Sequence, residues 1–194
     1  EKSVIAVDTE TSSLNPQEAD LVGLSVCYEA NEAFYIPVGH KERTELKKDI
    51  VLKKLKPILE DPSIKKVGQN IKYDFIIFKN NGIELSSVED TMLLSYTLDA
   101  GNNRHNMDTL SELHLGHKTI SYKDLVGTGK KQLNFADVDI KPATEYAAED
   151  ADITLRLYEI LSERISEEKL ERVYEEFEKP MIKILSRLEM NGIK

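Results

Sequence analysis

The sequence is poor in cysteine and lacks tryptophan, with one Cys and no Trp among its 194 residues. The single cysteine, Cys27, excludes an internal disulfide framework and fits a reducing cytoplasm. No run approaches the roughly 18 consecutive apolar residues that a membrane-spanning helix needs. A signal peptide is also missing, and the chain opens at Glu1 rather than Met, as a fragment would. We therefore expect a domain with no membrane partner.

A net positive charge is missing too, since the formal net charge is −9. Such a chain should bind a polyanion poorly by itself, because Lys and Arg contacts to phosphate normally dominate the affinity for nucleic acids. This argument against a nucleic-acid partner is weaker where carboxylates hold divalent cations, since the ions supply positive charge where a phosphate docks. With 40% hydrophobic residues, the chain is long enough for one sizeable globular domain and a helical appendage.

The order of the predicted elements favours an α/β fold in two or three layers, with strands first and helices packed over them. Close spacing of the first strands predicts an antiparallel meander within a mixed sheet. The segment 116–139 is polar and turn-rich, and the charged, amphipathic segment 167–190 is expected to lie outside the core. The predicted strands are 3–8, 21–29, 33–38 and 65–68, and the predicted helices are 47–60, a helix capped by Asn70 and closed at 80–82, 89–98, 108–113 and 142–165.

Two carboxylates one residue apart, Asp8 and Glu10, follow the first buried strand. Side chains alternate along a strand, so both should project from the same side of it. Like charges this close raise each other's pKa unless a cation lies between them, which indicates a site for a hard divalent ion. The alternative is an Asx-type turn, since Asp-Thr-Glu-Thr-Ser-Ser also suits a loop.

Two further acidic positions lie on predicted helices. Asp74 follows Asn70 by four residues within a strongly apolar run, so it lies either at the edge of the buried stripe or beside a partner. Tyr146 and Asp150 are also four apart, and the Ala-Ala pair between them permits close packing. The alternative is that Tyr146 belongs to the core and Asp150 to a solvated acidic face.

Four carboxylates from three places, with one tyrosine, match a two-metal site for phosphoryl transfer. Magnesium and manganese ions prefer oxygen ligands, which Asp and Glu provide. A phenol has a pKa of about 10, so it would orient a water molecule rather than deprotonate it at neutral pH.

Three short patterns resemble the three motifs of the DnaQ-like, DEDD-type 3′–5′ exonucleases: Asp8-Thr-Glu10, Asn70-x-x-x-Asp74 and Tyr146-x-x-x-Asp150. The tyrosine is similar to that of the Tyr subclass, because the His subclass would have histidine at Glu145. Longer stretches at 8–14, 67–74, 104–108 and 146–154 resemble the proofreading domain of family A bacterial DNA polymerase I. The resemblance covers nearly the whole chain and implies a ribonuclease H-like α/β fold, a mixed β-sheet with antiparallel first strands flanked by helices.

The resemblance implies a cofactor of two divalent cations, Mg²⁺ or in its place Mn²⁺ or Zn²⁺. Asp8, Glu10 and Asp150 match the ligands of the tighter metal. Asp8 would also bridge to the second metal, which Asp74 would hold largely through water. Tyr146 matches the residue that positions the attacking water.

It also implies a set of substrate contacts. Leu14 matches an apolar wedge beside the terminal base, and Phe135 matches a stacking residue. Asn70, Tyr73 and Arg104 match substrate-contacting positions. Stacking and wedging of this kind suit a frayed single strand of any sequence.

The implied activity is hydrolysis of the terminal phosphodiester of a single-stranded or frayed DNA 3′ end to release 5′-mononucleotides, as in proofreading during replication and repair. Residues 1–166 would form the exonuclease domain, and 167–194 a helical segment leading into a covalently linked polymerase domain. The expected setting is a monomer in the bacterial cytoplasm, associated with the nucleoid.

Two other functions remain open, namely a stand-alone exoribonuclease similar to ribonuclease D and a metal-free structural module of a polymerase. Two weaker motifs are rejected. Gly127-Thr-Gly-Lys-Lys131 lacks the Ser or Thr of a P-loop, and His114-x-x-His117 lacks the partners of a four-ligand metal site.

Overall fold

The structure is a computed structural model that describes residues 3–42 and 46–192. Residues 1 and 2, at the start of the predicted exonuclease domain, and residues 193 and 194, at the end of the predicted helical segment, lie outside the described residues. None of the described helices combines the length and apolar character needed to cross a membrane.

One mixed sheet forms the centre of the fold, with the strand order β3-β2-β1-β4-β5. Neighbouring strands are antiparallel from β1 to β2 and from β2 to β3, and parallel from β1 to β4 and from β4 to β5. The predicted α/β fold with antiparallel first strands is confirmed. The strands are β1 (Val4–Thr11), β2 (Leu21–Glu29), β3 (Glu32–Pro37), β4 (Lys65–Gly68) and β5 (Val88–Asp90).

Helices cover both faces of this sheet. They are α1 (Lys48–Leu59), α2 (Lys72–Asn80), α3 (Thr91–Asp99), α4 (Met107–Leu110), α5 (Tyr122–Val126), α6 (Ile140–Glu167), α7 (Glu171–Val173) and α8 (Lys179–Asn191). A π-helical turn, Ser111–Leu115, continues α4, and a second one, Tyr174–Glu178, joins α7 to α8.

Alternation along β1 divides the core into two sides, as strand geometry requires. Val7 packs in a cluster with Phe75 of α2, whereas Ala6 packs with Ala151 of α6 on the other face. Cys27 of β2 is fully buried on the α6 side, as expected for a structural cysteine. Asp8 and Glu10 continue the series of Ala6, so β1 directs them to the same side as α6.

The long helix α6 spans this face of the sheet, close to the predicted range. Pro142 lies in its first turn, where a backbone N–H has no helical partner to lose. Its buried residues recur at intervals of three or four, through Ala147, Ala151 and Leu161. This period keeps one face of the helix against the sheet over its whole length.

The sequence interpretation was wrong at the start of two helices. Asn70 does not cap α2 with its side chain; its backbone is left-handed at φ 58°, and α2 begins two residues later. Glu89 and Asp90 are not helical, because they pair with β4 as the short strand β5. The helix α3 then starts at Thr91, and the Asp90 side chain accepts the backbone N–H of Met92 as its N-cap.

The sequence interpretation was also wrong in placing the last helices outside the core. Tyr174 is buried in the cluster that holds α3 and α6 together, and Ile182 of α8 is buried against α1 and α2. The turn-rich segment 116–139 likewise contributes to the core, since Val126 and Phe135 pack against Val22 of β2. Because these segments are rich in charged and polar residues, their few buried apolar residues could not be recognised from the composition.

Candidate active site

The first two carboxylates owe their position to the strand β1. Asp8 pairs across the sheet with Ser25, and Glu10 pairs with Gly23. The side chains therefore project from one face of a strand that is fixed on both sides, as predicted from their spacing. The pairing register shifts after Glu10, and β1 ends at Thr11, so the acids lie near the end of the strand.

The third carboxylate comes from α6, which crosses that face. Asp150 is buried, and its carboxylate reaches those of Asp8 and Glu10 so that one oxygen from each lies within 4.8 Å of the others. Residues about 140 positions apart in the sequence thus share one cluster. The alternative of Asp150 on a solvated acidic face is wrong.

Asp74 lies next to this cluster but is held from the opposite side of β1. The backbone N–H of Thr9 donates to Asp74 Oδ1 at 2.9 Å, and the Thr9 hydroxyl donates to the same oxygen. Thr9 points away from Asp8 and Glu10 along the strand, so it fastens α2 to β1 just behind them. Asp74 therefore lies beside a buried partner, Thr9, and not at the edge of the buried stripe of α2.

The four acids disfavour one another's charged forms. Burial raises the pKa of Asp8 to about 6, and a hydrogen bond from the Thr9 backbone opposes this rise. Burial, followed by the negative charge of Asp8, raises the pKa values of Asp74 and Asp150 well above their usual range. The pKa of Glu10 is likewise raised by burial and then by the charges of Asp8, Asp150 and Asp74.

This cluster has the donor set that a divalent cation requires. Within residues 3–42 and 46–192, no ion pair joins any of the four acids to a Lys, Arg or His side chain. A buried group of carboxylates without a cationic neighbour is costly unless protons or metal ions neutralise it. The carboxylate oxygens of Asp8, Glu10 and Asp150 are suited to Mg²⁺ or Mn²⁺.

Tyr146 lies one helical turn before Asp150 and completes the acidic side of the site. Burial, and then the charges of Asp150 and Glu10, raise the pKa of its hydroxyl far above the usual value. The ring packs against Tyr122 and Phe135, with centroids 5.8 Å and 6.2 Å away. At neutral pH this phenol is therefore a fixed hydrogen-bonding group and not a base.

A cavity of about 870 Å³ opens above the carboxylates. The turn after β1 forms one wall of this cavity. It includes Leu14, whose side chain is 94% exposed. The Tyr73 hydroxyl holds this turn by donating to the backbone carbonyl of Ser13 at 2.5 Å, and it also bonds to Thr11. The Asn134 side chain ties the opposite wall to the same turn through the Ser12 carbonyl.

Most of the residues predicted to contact the substrate line this cavity. Leu14, Asn70, Tyr73 and Phe135 do so, together with the four acids and Tyr146. Phe135 is only 1% exposed, so little of its ring is open. Arg104 is exposed and does not line the cavity. Its neighbour His105 is connected to the cavity, because its carbonyl accepts from the side chain of Gln69, a lining residue.

Sequence reasoning missed two residues that support the site. Asp90 accepts the backbone N–H groups of Asn70 and Ile71, which fixes the start of α2. Glu149 accepts from His117 and from the backbone of Ile120, so it fastens the segment before α5 to α6. No local pattern in the sequence signals that Glu149 has partners about thirty residues away.

Comparisons with known proteins show which family the sequence matches. A sequence model described as 3′–5′ exonuclease matches residues 1–166. The chain is 45% identical to DNA polymerase I of Pseudomonas aeruginosa and 44% identical to that of Rhizobium leguminosarum, over 99% and 98% of its own length. It spans only 22% and 21% of those relatives.

Among solved structures, the fold is similar to that of Brucella melitensis NrnC, which has been determined bound to pGG and with bound Mg²⁺. The TM-scores are 0.75 and 0.72 at 22% sequence identity. The similarity covers 98% of this chain and 86% of NrnC.

Proposed function

Because the chain belongs to the 3′–5′ exonuclease family of DNA polymerase I, we propose that it hydrolyses the terminal phosphodiester of single-stranded or frayed DNA 3′ ends with the help of two divalent cations. The observation that carries this proposal is the convergence of Asp8, Glu10 and Asp150 at the base of an open cavity. The bound Mg²⁺ in NrnC supports a metal of the same kind here.

The carboxylates would hold the cations. One ion would be held by Asp8, Glu10 and Asp150. A second would be held by Asp8 together with Asp74, which would use the carboxylate oxygen that does not accept from Thr9. When bound, two such ions activate water and stabilise the charge on the attacking and leaving oxygens. Bound cations would also offset the burial that raises the pKa of all four acids and the repulsion that adds to it at Glu10, Asp74 and Asp150.

The protein's own groups would position the reactants. The Tyr146 hydroxyl would orient the attacking water, whose oxygen forms the new bond to phosphorus. The bond from phosphorus to the 3′ oxygen then breaks, so a 5′-mononucleotide leaves and the shortened strand keeps its 3′ hydroxyl. Leu14 and Phe135 would flank the terminal base, and Asn70, Tyr73 and Arg104 would contact the strand or support the residues that do.

The test is a time course on a 5′-labelled single strand with Mg²⁺, Mn²⁺ or EDTA. We expect stepwise shortening from the 3′ end with either metal and none with EDTA. Asp150→Asn should lose at least about ten- to a hundredfold in rate, the loss that is typical of replacing a residue that only supports a metal ligand. The matched control is Asp152→Asn on the same helix. The Asp152 carboxylate accepts from Arg156, so this substitution should leave the rate unchanged.

The other candidate functions are outcomes of the same test. Faster shortening of the matching RNA strand would favour an exoribonuclease. No metal-dependent shortening of either strand would favour a structural module. Melting curves of the metal-free proteins provide the folding control, because Asp150→Asn should unfold at or above the wild-type temperature once one repelling charge is removed.

We also propose that a covalently linked polymerase domain follows in the full-length protein, with residues 167–194 as the helical segment that leads into it. The relatives that this chain matches are DNA polymerases about five times as long. Apolar side chains on α7, α8 and the turn between them are exposed and suit a surface covered by that domain: Val173, Phe177, Ile184 and Leu188. With a net charge of −9, this chain would depend on the polymerase domain for duplex DNA.

In this proposal the full-length protein acts as a monomer at the nucleoid of the bacterial cytoplasm. Mispaired 3′ ends fray at a lower cost than paired ends, so they would reach the cavity more often. Selectivity for errors would therefore arise before hydrolysis and not from recognition of a particular base.

A further inference from the structure

We propose that His40 is a positioning residue for the metal site, because it binds the hydroxyl proton of Tyr35 and keeps this proton away from the Glu10 carboxylate. This role rests on the proposed exonuclease function, in which Glu10 holds a cation. Three features of the structure support it: the place of the Tyr35 ring on the sheet, the direction of its hydrogen bond to His40, and the packing of the His40 ring.

Tyr35 lies in the same row of the sheet as the acids. Residues that pair directly across neighbouring strands share a face, and the pairs Asp8–Ser25 and Ser25–Tyr35 form one row from β1 to β3. The Tyr35 ring leans across Gly23, where an added Cβ atom would collide with the phenol oxygen. Because Gly23 pairs with Glu10, this glycine leaves the space that brings the hydroxyl beside the Glu10 side chain.

The charges of the acids act on this hydroxyl. Burial, followed by the negative charges of Glu10 and Asp8, raises the pKa of Tyr35 well above its usual value. The phenol is therefore protonated at neutral pH and has one proton to donate. Two acceptors compete for this proton, namely the Glu10 carboxylate and the imidazole of His40.

The hydrogen bonds of His40 show that the imidazole receives the proton. The Tyr35 oxygen lies 2.7 Å from His40 Nε2, and His40 Nδ1 lies 3.0 Å from the backbone carbonyl oxygen of Val138. A carbonyl only accepts, so Nδ1 carries the ring proton and Nε2 accepts from Tyr35. Burial lowers the pKa of His40, which favours this neutral form of the ring. Both oxygens of Glu10 therefore stay free of the phenol proton.

The His40 ring is fixed well enough to determine where the hydroxyl points. His40 is 9% exposed, and its ring centroid lies 5.7 Å from that of Phe135. Without this acceptor, the Tyr35 hydroxyl would be left unpaired in a largely buried place, which is costly. The Glu10 carboxylate, whose charge acts on the hydroxyl more strongly than that of Asp8, would then accept the proton instead.

The test is a titration with Mn²⁺ in which electron paramagnetic resonance measures the free ion. We expect His40→Leu, which cannot accept a hydrogen bond, to raise the Kd for Mn²⁺ by about ten- to a hundredfold, as is typical when a group that supports a metal ligand is lost. The Tyr35 proton would then occupy a Glu10 oxygen that the cation needs. His40→Gln keeps an acceptor in this place and should retain a Kd close to that of the wild type.

A double substitution separates this role from a structural one. Tyr35→Phe alone removes the hydroxyl and should leave the Kd for Mn²⁺ close to the wild-type value. Combined with His40→Leu, it should restore the affinity, since no proton remains to reach Glu10, whereas two structural losses would add to or reinforce each other. The control Val138→Ala removes a buried side chain from the cluster that Tyr35 packs against and keeps the carbonyl that His40 binds, so it should lower Tm without changing the Kd.

Each outcome decides one claim. If His40→Leu does not fold by circular dichroism, His40→Ala takes its place in the same comparisons. An unchanged Kd without the imidazole, or a double variant that binds Mn²⁺ as weakly as the single His40 variant, would overturn the role of His40 while the metal site stands. A wild-type protein that neither binds Mn²⁺ nor shortens a single strand with it would instead overturn the proposed function, and the role of His40 with it.

Discussion

At the scale of single residues, burial determines what the Tyr146 hydroxyl does. Its pKa lies far above the usual value because the ring is buried and faces the charges of Asp150 and Glu10. The group therefore stays protonated at neutral pH. It is able to donate a hydrogen bond to a water or a phosphate oxygen but not to accept the proton of an attacking water.

Replacing Tyr146 by phenylalanine tests this role. We expect kcat to fall about ten- to a hundredfold, which corresponds to losing one hydrogen bond of about 1.5–3 kcal/mol in the transition state. The concentration of Mn²⁺ at half-maximal rate should not change, because the carboxylates remain. The control is Tyr158→Phe, three turns further along α6, whose hydroxyl bonds to Lys65 away from the cavity. Equal rates for Tyr146→Phe and the wild type would remove this hydroxyl from the mechanism.

The raised pKa values of the carboxylates predict how pH affects the metal-free protein. Asp8 has a pKa of about 6, and the values of Glu10, Asp74 and Asp150 are raised too. A carboxyl group with a higher pKa in the folded chain binds more protons there than in the unfolded chain. Its contribution to stability is therefore present at low pH and is lost as the pH rises from about 4 through about 6 and above.

Divalent cations should reverse this loss, since they bind the deprotonated oxygens. We expect the increase in Tm caused by saturating Mn²⁺ to grow between about pH 5 and about pH 8. Thermal melting with Mn²⁺ and with EDTA at each pH measures it. Asp150→Asn should show a much smaller increase. An increase that does not depend on pH in the wild type would contradict the proposed link between repulsion and metal binding.

At the scale of secondary-structure elements, Asp90 joins three parts of the fold. One oxygen accepts the N–H groups of Asn70 and Met92, and the other accepts the N–H of Ile71. A single side chain thus caps α3 and holds the left-handed turn before α2. Since Asn70 lines the cavity and α2 carries Asp74, the end of β5 fixes one wall of the site.

Substitution of Asp90 by asparagine should break one of these connections. The amide group has one acceptor oxygen in place of two, so one backbone N–H loses its partner while buried. We expect a loss of about 1–3 kcal/mol in the free energy of unfolding by urea denaturation. KM for single-stranded DNA should rise more than kcat falls. The control Asp49→Asn, exposed on α1, should be neutral, and equal stability of both variants would refute this account.

At the scale of the whole molecule, the last helices are part of the fold. The Tyr174 hydroxyl donates to the buried Glu89 carboxylate at 2.9 Å, and the Lys179 ammonium group donates to the other oxygen of that carboxylate at 2.8 Å. Tyr174 also accepts the backbone N–H of Asp90. These contacts connect the π-helical turn Tyr174–Glu178 and α8 to β5, the strand whose end supports Asn70.

Two isoleucines of α8 measure how strongly this helix is docked. Ile182 is 2% exposed in the core, whereas Ile184 on the other side is 48% exposed. We expect Ile182→Ala to lower the free energy of unfolding by about 2–5 kcal/mol, as for buried aliphatic residues generally. Ile184→Ala should change it by less than about 0.5 kcal/mol. Similar effects from the two substitutions would show that α8 does not pack as described.

The sequence alone predicted the fold class and most of the carboxylate cluster. Strand periodicity is local, so the alternation of Ala6, Asp8 and Glu10 with apolar neighbours predicted both β1 and the shared face of the acids. The four-residue spacing of Tyr146 and Asp150 placed them on one side of a helix in the same way. Local patterns were misleading at Glu89, where pairing with β4 prevailed over helix propensity, and at Asn70, whose backbone N–H is bound by the distant Asp90 side chain.

Tertiary structure decided which of these groups meet and how they are held. Whether Asp150 faced solvent or Asp8 depended on how α6 crosses the sheet. The partners of Asp74, Asp90 and Glu149 are between about 19 and 65 residues away along the chain, beyond the reach of any local pattern. Burial is likewise a property of the packed chain. It raises the pKa values of the acids, and it differs between neighbouring aromatic rings, since Phe135 is buried whereas Tyr122 is exposed.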